Sequence, residues 1–223
     1  MTTERLTVAV VKFPGSLDHD SAARAARQAG ADAMLVHHKD DALPAATTAV
    51  VLPGGFSYGD HLRCGAIASR APIMSAIRAF AADGGRVLGI CNGFQILCEA
   101  GLLPGVLRPN QTLSFICRQT TLTVDDDATG WTGTHASGGT LSIPIKNHDG
   151  AWFGDPTEGR IVFRYDAINP TGSHERIAGI TNRDGNVLGM MPHPECACDP
   201  LVGSDDGKVV FDALVGAVSV GVA

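Results

Sequence analysis

The sequence predicts an α/β fold, an open and mostly parallel twisted sheet with helices on both faces and a small antiparallel region of strands and a flap in the C-terminal half. Two observations lead to this fold class. Up to about residue 100, short apolar runs alternate with helical segments across short loops, which is typical of strand–helix–strand units. From Leu113 onward, strand-like segments follow one another without intervening helices. No repeat or linker divides the 223 residues, so a single domain over residues 1–223 is predicted.

The first half of the chain carries the alternating elements. Continuous apolar runs, typical of strands buried on both faces, predict four strands at 6–13, 33–36, 49–53 and 87–90. Ala-rich or amphipathic segments bounded by proline or glycine predict helices at 20–29, 72–83 and 92–100.

The second half predicts mostly strands. Thr, Ile and Phe at strand spacing indicate strands at 114–124, 141–145 and 160–165. The turn Arg183-Asp184-Gly185 predicts a hairpin between strands at 177–182 and 186–191. The polar segment 128–139 predicts a mobile surface segment or flap, and residues 207–218 predict a terminal helix.

Composition excludes several classes of function. The chain is 44% hydrophobic and 18% charged, as a globular protein with a real core requires. Its formal net charge of -6 disfavours binding to nucleic acid or an anionic membrane. No apolar run approaches the ~18 residues of a membrane span, and no secretory segment is recognised. We therefore expect a cytoplasmic protein whose six cysteines are mostly reduced.

Cys91 is the strongest candidate for chemistry. It lies in GICNGFQ (residues 89–95), between a predicted strand and the start of a predicted helix. A cysteine on such a turn faces outward at the carboxyl edge of the sheet, where helix N-terminal amides favour its thiolate. The flanking Gly89 and Gly93 suit a turn that tolerates little side-chain bulk. This pattern predicts a nucleophile.

A cysteine nucleophile needs a base and a group that orients the base. The segment MMPHPE (residues 190–195) supplies His193 and, two residues later, Glu195. If the segment is extended, both side chains point to the same side, and the carboxylate can fix the imidazole tautomer. Pro192 and Pro194 are expected to keep the segment out of a helix.

A tetrahedral oxyanion needs backbone N–H donors, each worth about 10²–10³ in rate. Asn92 offers one at the start of the helix. A second donor could come from the glycine loop LPGGFSYGD (residues 52–60), which follows a neighbouring strand.

These segments together resemble the class I (triad) glutamine amidotransferases, a flavodoxin-like α/β family, and among them the glutaminase subunits of phosphoribosylformylglycinamidine synthase. The resemblance spans most of the chain. Its motifs are VKFPGS (11–16), LPGGFSYGD (52–60), GICNGFQILCEAGLLPG (89–105), MMPHPE (190–195) and PLVGS (200–204).

The resemblance implies roles for individual residues. Cys91 would attack the side-chain amide of L-glutamine and form a thioester, while His193 would act as base and acid and Glu195 would orient it. The backbone amides of Gly55 and Asn92 would form the oxyanion hole, and Gln95 would hold the substrate.

The resemblance also implies partners. Ammonia would pass to a large ATP-dependent synthetase subunit, bridged by a further small subunit, which makes formylglycinamidine ribonucleotide in de novo purine (IMP) biosynthesis. The chain carries no phosphate loop, since Gly203–Val209 has the wrong spacing and no hydroxyl after its lysine. No cofactor is therefore expected in this chain, and ATP and magnesium are expected on the synthetase.

Two departures from the family stand out. Family members commonly carry His-Gly-Glu-Gly where this chain has Asn147-His148-Asp149-Gly150, and often arginine where it has Cys196. Cys196 and Cys198 form a single pair of thiols, which is weak evidence for metal, so no metal site is predicted. For His148, a surface position is favoured over a substitute for the missing histidine.

Three alternative functions remain open from the residues. They are a glutaminase of another pathway on the same fold, a different cysteine hydrolase on a related fold, and a subunit that only stabilises its synthetase. The long PGGFSYGD loop disfavours the first alternative, the His-Pro-Glu element the second, and the complete set of Cys91, His193 and Glu195 the third.

Overall fold

A computed structural model describes residues 6–133 and 135–220, and within them it shows eleven strands and four α-helices. The strands are β1 (Thr7–Lys12), β2 (Asp32–His37), β3 (Thr47–Leu52), β4 (Arg86–Ile90), β5 (Val106–Arg108), β6 (Ile116–Val124), β7 (Thr140–Asn147), β8 (Ala151–Phe153), β9 (Arg160–Tyr165), β10 (Ile177–Thr181) and β11 (Val187–Met190). The helices are α1 (His19–Gln28), α2 (Ile73–Ala82), α3 (Asn92–Glu99) and α4 (Lys208–Val220). No helix in the described ranges has the length and apolar character that a membrane span needs.

Nine of these strands form one sheet, in the order β2-β1-β3-β4-β11-β10-β9-β6-β7. The strands from β2 to β11 pair in parallel, and those from β11 to β7 pair antiparallel. The predicted α/β class and the predicted hairpin, which is β10–β11, are confirmed. The antiparallel strands predicted for the C-terminal half are present, and β10, β9, β6 and β7 continue the main sheet beyond β11.

A second sheet, β5 paired antiparallel with β8, was not predicted. Each of its strands has three residues, which is too short for an alternating pattern to be recognised. Gly105, just before β5, lies close to the ring of Trp152 on β8, since a Cβ there would be 2.5 Å from the indole nitrogen.

The inner parallel strands are apolar and covered by helices, whereas the edge strand β2 is largely exposed. Every residue of β1 from Thr7 to Val11 is buried. Helix α1 packs on β1 and β2, α4 packs beside α1 and on β3, and α3 packs on β4 and β11. Strands covered on both faces are typically continuous apolar runs, so the sequence pattern and the packing agree.

The polar segment predicted to be a mobile flap is tied to the core. Trp131 is fully buried, its indole N–H donates to the carbonyl of Gly185 at 2.8 Å, and the Arg86 guanidinium lies 4.5 Å from its ring centre. A buried tryptophan anchors a segment far more firmly than its polar neighbours suggest. Within this segment, Thr134 lies outside the described residues.

Three neighbouring strands converge at one edge of the sheet. The strands β3, β4 and β11 lie side by side and parallel, so their carboxyl ends meet. Gly55 follows β3, Cys91 follows β4 and His193 follows β11. The end of β7 reaches the same place, because the His193 N–H donates to the carbonyl of Pro144 at 2.8 Å. The fold thus assembles four chain segments around Cys91.

Gly93 fits the crowded junction between β3 and α3, and its substitution provides a test of the packing. A Cβ at Gly93 would overlap the carbonyl oxygen of Leu52, a backbone atom that cannot move aside. We expect Gly93→Ala to lower the free energy of unfolding by about 1–3 kcal/mol or more. Urea denaturation measures this change.

Gly216→Ala is the matched control. Gly216 also lies in a helix, α4, but a Cβ there meets nothing within 4 Å. Alanine should stabilise this position by roughly 0.5–1 kcal/mol through its better helix propensity. Equal effects of the two substitutions would contradict the packing described here.

Candidate active site

Cys91 occupies a strained turn between β4 and α3. Its backbone angles are φ 51° and ψ −104°, and it is the residue that precedes the first turn of α3. Its N–H donates to the carbonyl of Met190 on β11 at 2.8 Å, which ties the turn to the neighbouring strand. A non-glycine residue in this conformation costs about 1–3 kcal/mol, and such strain is typical of functional sites. The predicted turn is present.

His193 and Glu195 meet as predicted, although through a different backbone. Nδ1 of His193 lies 2.6 Å from Oε1 of Glu195, and both side chains are almost completely buried. The extended segment that was expected is wrong, because Pro194–Cys196 form a 3₁₀ turn with His193 immediately before it. Proline fits the first position of such a turn, since its missing N–H has no partner there.

The charge of His193 is set by its neighbours. Burial alone disfavours the imidazolium, but electrostatic attraction to Glu195 and Cys91 and hydrogen bonding to both outweigh burial and raise the pKa of His193 to about 10. Nε2, the ring nitrogen not used by Glu195, has no hydrogen-bond partner among the described residues. The surroundings of His193 therefore favour the imidazolium over the neutral ring, and Cys91, like Glu195, interacts with this ring.

Cys91 lies at a cleft that several segments line. Its thiol is 3.7 Å from the carbonyl oxygen of Lys146 at the end of β7. The lining residues are Gly55, Phe56, Asp60, Cys64, Cys91, Gln95, Lys146, Asn147, His148 and Asp149. The structure thus brings Cys91, Gly55 and Gln95 to one cleft, with His193 and Glu195 buried behind it.

The two predicted oxyanion donors have free N–H groups. Neither Gly55 nor Asn92 donates a backbone hydrogen bond to any residue in the described ranges. An antiparallel bridge between Ser16 and Gly55 holds the glycine loop, with Phe56 N–H donating to Gly15 and Leu17 N–H to Gly54. Free N–H groups beside a nucleophile are what an oxyanion hole requires, and that role stays a prediction.

Gln95 lines the cleft, but its amide already has partners. Its Oε1 accepts from the Asn92 side chain at 2.9 Å, and its Nε2 donates to the carbonyl of Asp149 at 2.7 Å. The Asn92 side chain in turn accepts from the Ser57 N–H at 3.2 Å. Gln95 thus connects α3 to the 146–150 loop, and its contact with substrate stays a prediction.

The loop that departs from the family carries an unsatisfied amide. The Asn147 side chain is buried, and neither of its amide atoms has a hydrogen-bond partner among the described residues. His148 is half exposed, lies 2.9 Å from the Asp149 carboxylate and also lines the cleft beside Cys91.

Two residues at the site were not predicted. Asp18, at the start of α1, and Lys146, at the end of β7, form an ion pair at 2.5 Å. Oδ2 of Asp18 lies 3.7 Å from Nδ1 of His193. Sequence spacing gives no sign that Asp18 and Lys146 meet, because 128 residues separate them. Only their positions, just after β1 and at the end of β7, indicate that both side chains could lie near the site.

The same region holds a group of possible metal ligands. One ligand atom from each of Asp18, His193, Glu195 and Cys196 lies within 4.8 Å of the others. The Lys146 ammonium already supplies a positive charge to Asp18, and the fully buried carboxylate of Glu195 bonds to His193. Cys198 is not in the group, and its thiol donates to the Pro194 carbonyl at 3.1 Å. We assign no metal to this region.

Comparison with known proteins identifies the family. Residues 5–206 match the CobB/CobQ-like glutamine amidotransferase domain. The subunit PurQ of phosphoribosylformylglycinamidine synthase from Nocardia farcinica is 50% identical over 92% of this chain and 94% of its own length. The chain belongs to the PurQ family of glutamine amidotransferases. The resemblance predicted from the motifs is confirmed.

Further similarities agree with this family. The corresponding subunit from Lacticaseibacillus paracasei is 50% identical over 94% of this chain and 95% of its own length. A chain in the structure of PurLQS from Thermotoga maritima has 40% identity and a TM-score of 0.91, over 96% of this chain and 99% of its own length. A glutamine amidotransferase from the same organism, at 14% identity and a TM-score of 0.67, shares the fold alone over 96% of this chain and 98% of its own length.

The protonation of His193 can be measured directly. We expect its ring to stay charged at neutral pH, and Glu195→Gln to lower the pKa of His193 by on the order of one pH unit or more, because a buried negative charge is removed. An NMR titration of the ring signals measures both values. Glu158→Gln, an exposed carboxylate in another turn, should leave the titration unchanged. A His193 ring that titrates near 6.5 in the native chain would contradict this electrostatic description.

Proposed function

We propose that this chain is the glutaminase subunit of a cytoplasmic phosphoribosylformylglycinamidine synthase. It hydrolyses L-glutamine to L-glutamate and ammonia, and the ammonia is used to convert formylglycinamide ribonucleotide to formylglycinamidine ribonucleotide in purine biosynthesis. One observation carries the mechanism. The buried pair His193–Glu195, joined at 2.6 Å, lies beside Cys91, a cysteine held in a strained turn.

The first half of the reaction is an acyl transfer to sulfur. A charged imidazole next to a cysteine favours the thiolate, and this thiolate attacks the side-chain amide carbon of glutamine. The carbonyl oxygen becomes an oxyanion, for which the free N–H groups of Gly55 and Asn92 are available donors. As the C–N bond breaks, the imidazolium of His193 gives its Nε2 proton to the leaving nitrogen, and ammonia and a thioester result.

The second half regenerates the cysteine. His193 is now neutral and removes a proton from water, whose oxygen attacks the thioester carbon. A second oxyanion collapses, the C–S bond breaks, and glutamate leaves. Glu195 holds the ring through Nδ1 in both halves, so that Nε2 faces the reacting atoms each time. The proton count closes, because the imidazolium is restored at the end.

The acceptor of ammonia belongs to a partner. PurLQS from Thermotoga maritima is an assembly that contains a chain of this family. By analogy, this chain works with a large synthetase subunit, which binds ATP and magnesium, and with a small bridging subunit. The near-complete overlap with PurQ relatives at 50% identity favours this pathway over the glutaminases of other pathways.

Replacement of the nucleophile separates glutamine hydrolysis from ammonia use. In the synthase reconstituted with its synthetase and small subunits, Cys91→Ala should abolish glutamate release, because the substitution removes the thiol that forms the thioester. The same complex should still make the amidine product from free ammonium chloride. Glutamate and product are measured in parallel.

The matched control is Cys117→Ala, which removes an exposed thiol on β6 and should leave both activities unchanged. Normal glutamine hydrolysis by the Cys91→Ala complex would overturn the mechanism. Hydrolysis by the native complex without any ammonia-dependent product would instead point to a glutaminase of another pathway.

A further inference from the structure

Asp18 stands at a helix start but does not cap the helix. It is the residue before the first turn of α1, where an aspartate typically accepts a hydrogen bond from the first turn. Its side chain makes no such bond. The side chain is almost completely buried and points instead to Lys146 and His193. The loss of a helix cap lowers stability by about 0.5–2 kcal/mol. The contacts that Asp18 makes instead must therefore compensate for this loss or serve a function.

The first of these contacts is with the base itself. Oδ2 of Asp18 lies 3.7 Å from Nδ1 of His193, the same nitrogen that Glu195 holds at 2.6 Å. Gly54 makes room for both groups, since a Cβ there would lie 2.5 Å from Oδ2 of Asp18 and 2.7 Å from Cε1 of His193. Two carboxylates therefore face the same side of one imidazole ring.

The second contact balances the charge. Nζ of Lys146 lies 2.5 Å from the other oxygen of Asp18, and the carbonyl oxygen of the same lysine lies 3.7 Å from the Cys91 thiol. Lys146 is thus bound at both ends to the site, by its ammonium to the carboxylate beside the base and by its backbone to the nucleophile. It lies at the end of β7, immediately before the segment 147–150 that departs from the family pattern.

We propose that Asp18 is a second positioning residue for His193 and that Lys146 is the counter-charge that sets how strongly Asp18 acts on the ring. This inference rests on the proposed function, because His193 is the group whose protonation the pair controls. The charged or titratable groups around the ring are Glu195 and Cys196 from its own turn, Cys91 from the β4–α3 turn, Asp18 from the β1–α1 turn and Lys146 from β7.

The signs of the expected effects are opposite for the two partners. Asp18→Asn removes a negative charge and leaves the Lys146 ammonium unbalanced near the ring, so the imidazolium is disfavoured and the pKa of His193 falls. Lys146→Met leaves the Asp18 carboxylate unbalanced, so the imidazolium is favoured and the pKa rises. At these distances each change is expected to be on the order of one pH unit. The double variant removes both charges and should return close to the native value.

Two measurements test these signs. NMR titration of the His193 ring in the full chain reads the pKa without any need for catalysis. In the reconstituted synthase, kcat for glutamine hydrolysis is measured as a function of pH. The alkaline limb of this profile should move to lower pH for Asp18→Asn and to higher pH for Lys146→Met. Near neutral pH, Asp18→Asn should lower kcat roughly tenfold while KM stays within about twofold, since the ring and not the substrate is misplaced.

Asp20→Asn is the matched control. It makes the same change of charge two residues further along, on a carboxylate that is 86% exposed. Neither the ring titration nor the kcat profile should move. If Asp20→Asn shifted the pKa of His193 as much as Asp18→Asn does, the net charge of the chain would explain the shift. That result would overturn the specific role of Asp18.

The competing explanation is a purely structural ion pair. In that case both single variants would lower the melting temperature, and the ring titration and the alkaline limb would stay where they are, which overturns the proposal. If Asp18→Asn does not fold, Lys146→Met and the double variant still decide the question by the direction of their shifts. If the native synthase releases no glutamate, the proposed function fails, whereas the ring titration still tests the coupling of Asp18 to His193.

Discussion

The close packing of α3 against β4 and β11 is the constraint on which the site depends. Gly89 and Gly189 are paired across these two strands, and a Cβ on either would overlap α3. Without side chains at these positions, the helix lies directly on the sheet, and the chain must turn sharply to enter it. Cys91 takes that turn, so its strained backbone is a consequence of the packing. The register of β3 with β4, in which Leu52 pairs with Gly89, then brings the glycine loop beside the same turn.

The buried charges of the site are paired within one cluster. When the imidazolium of His193 is present, it and the Lys146 ammonium balance the carboxylates of Glu195 and Asp18. Removing charges from water is costly unless each has a partner at short range, and here each has one within 2.6 Å. The cluster would lose this balance if His193 became neutral while Asp18 and Glu195 stayed ionised. Its proton is therefore held by the arrangement as a whole, which suits the proposed role of His193 as the acid that protonates the leaving nitrogen.

The sequence was informative where chemistry is local and silent where it depends on distant packing. GICNGFQ and MMPHPE each carry their geometry in a few consecutive residues, so Cys91, His193 and Glu195 could be named before any fold was known. The 3₁₀ turn at Pro194 could not, because a proline is compatible both with extended chain and with the start of a turn. The strands β5 and β8 were missed because three residues carry no period. The segment 128–139 was predicted to be mobile because most of its residues are polar, but the buried Trp131 anchors it to the core.

Asp18 and Lys146 illustrate a limit of a different kind. An aspartate before a helix is typically a cap, and a lysine near a strand end is typically a solvated charge. Here both side chains have a distant partner instead, for the same reason. The sheet brings β1 and the end of β7 to one side of His193, and there a buried carboxylate gains more from the ammonium than from a helix N–H. A polar residue whose side chain bonds to a distant partner and not to a local one therefore marks a position where tertiary contacts, and not local sequence, determine the orientation of the side chain.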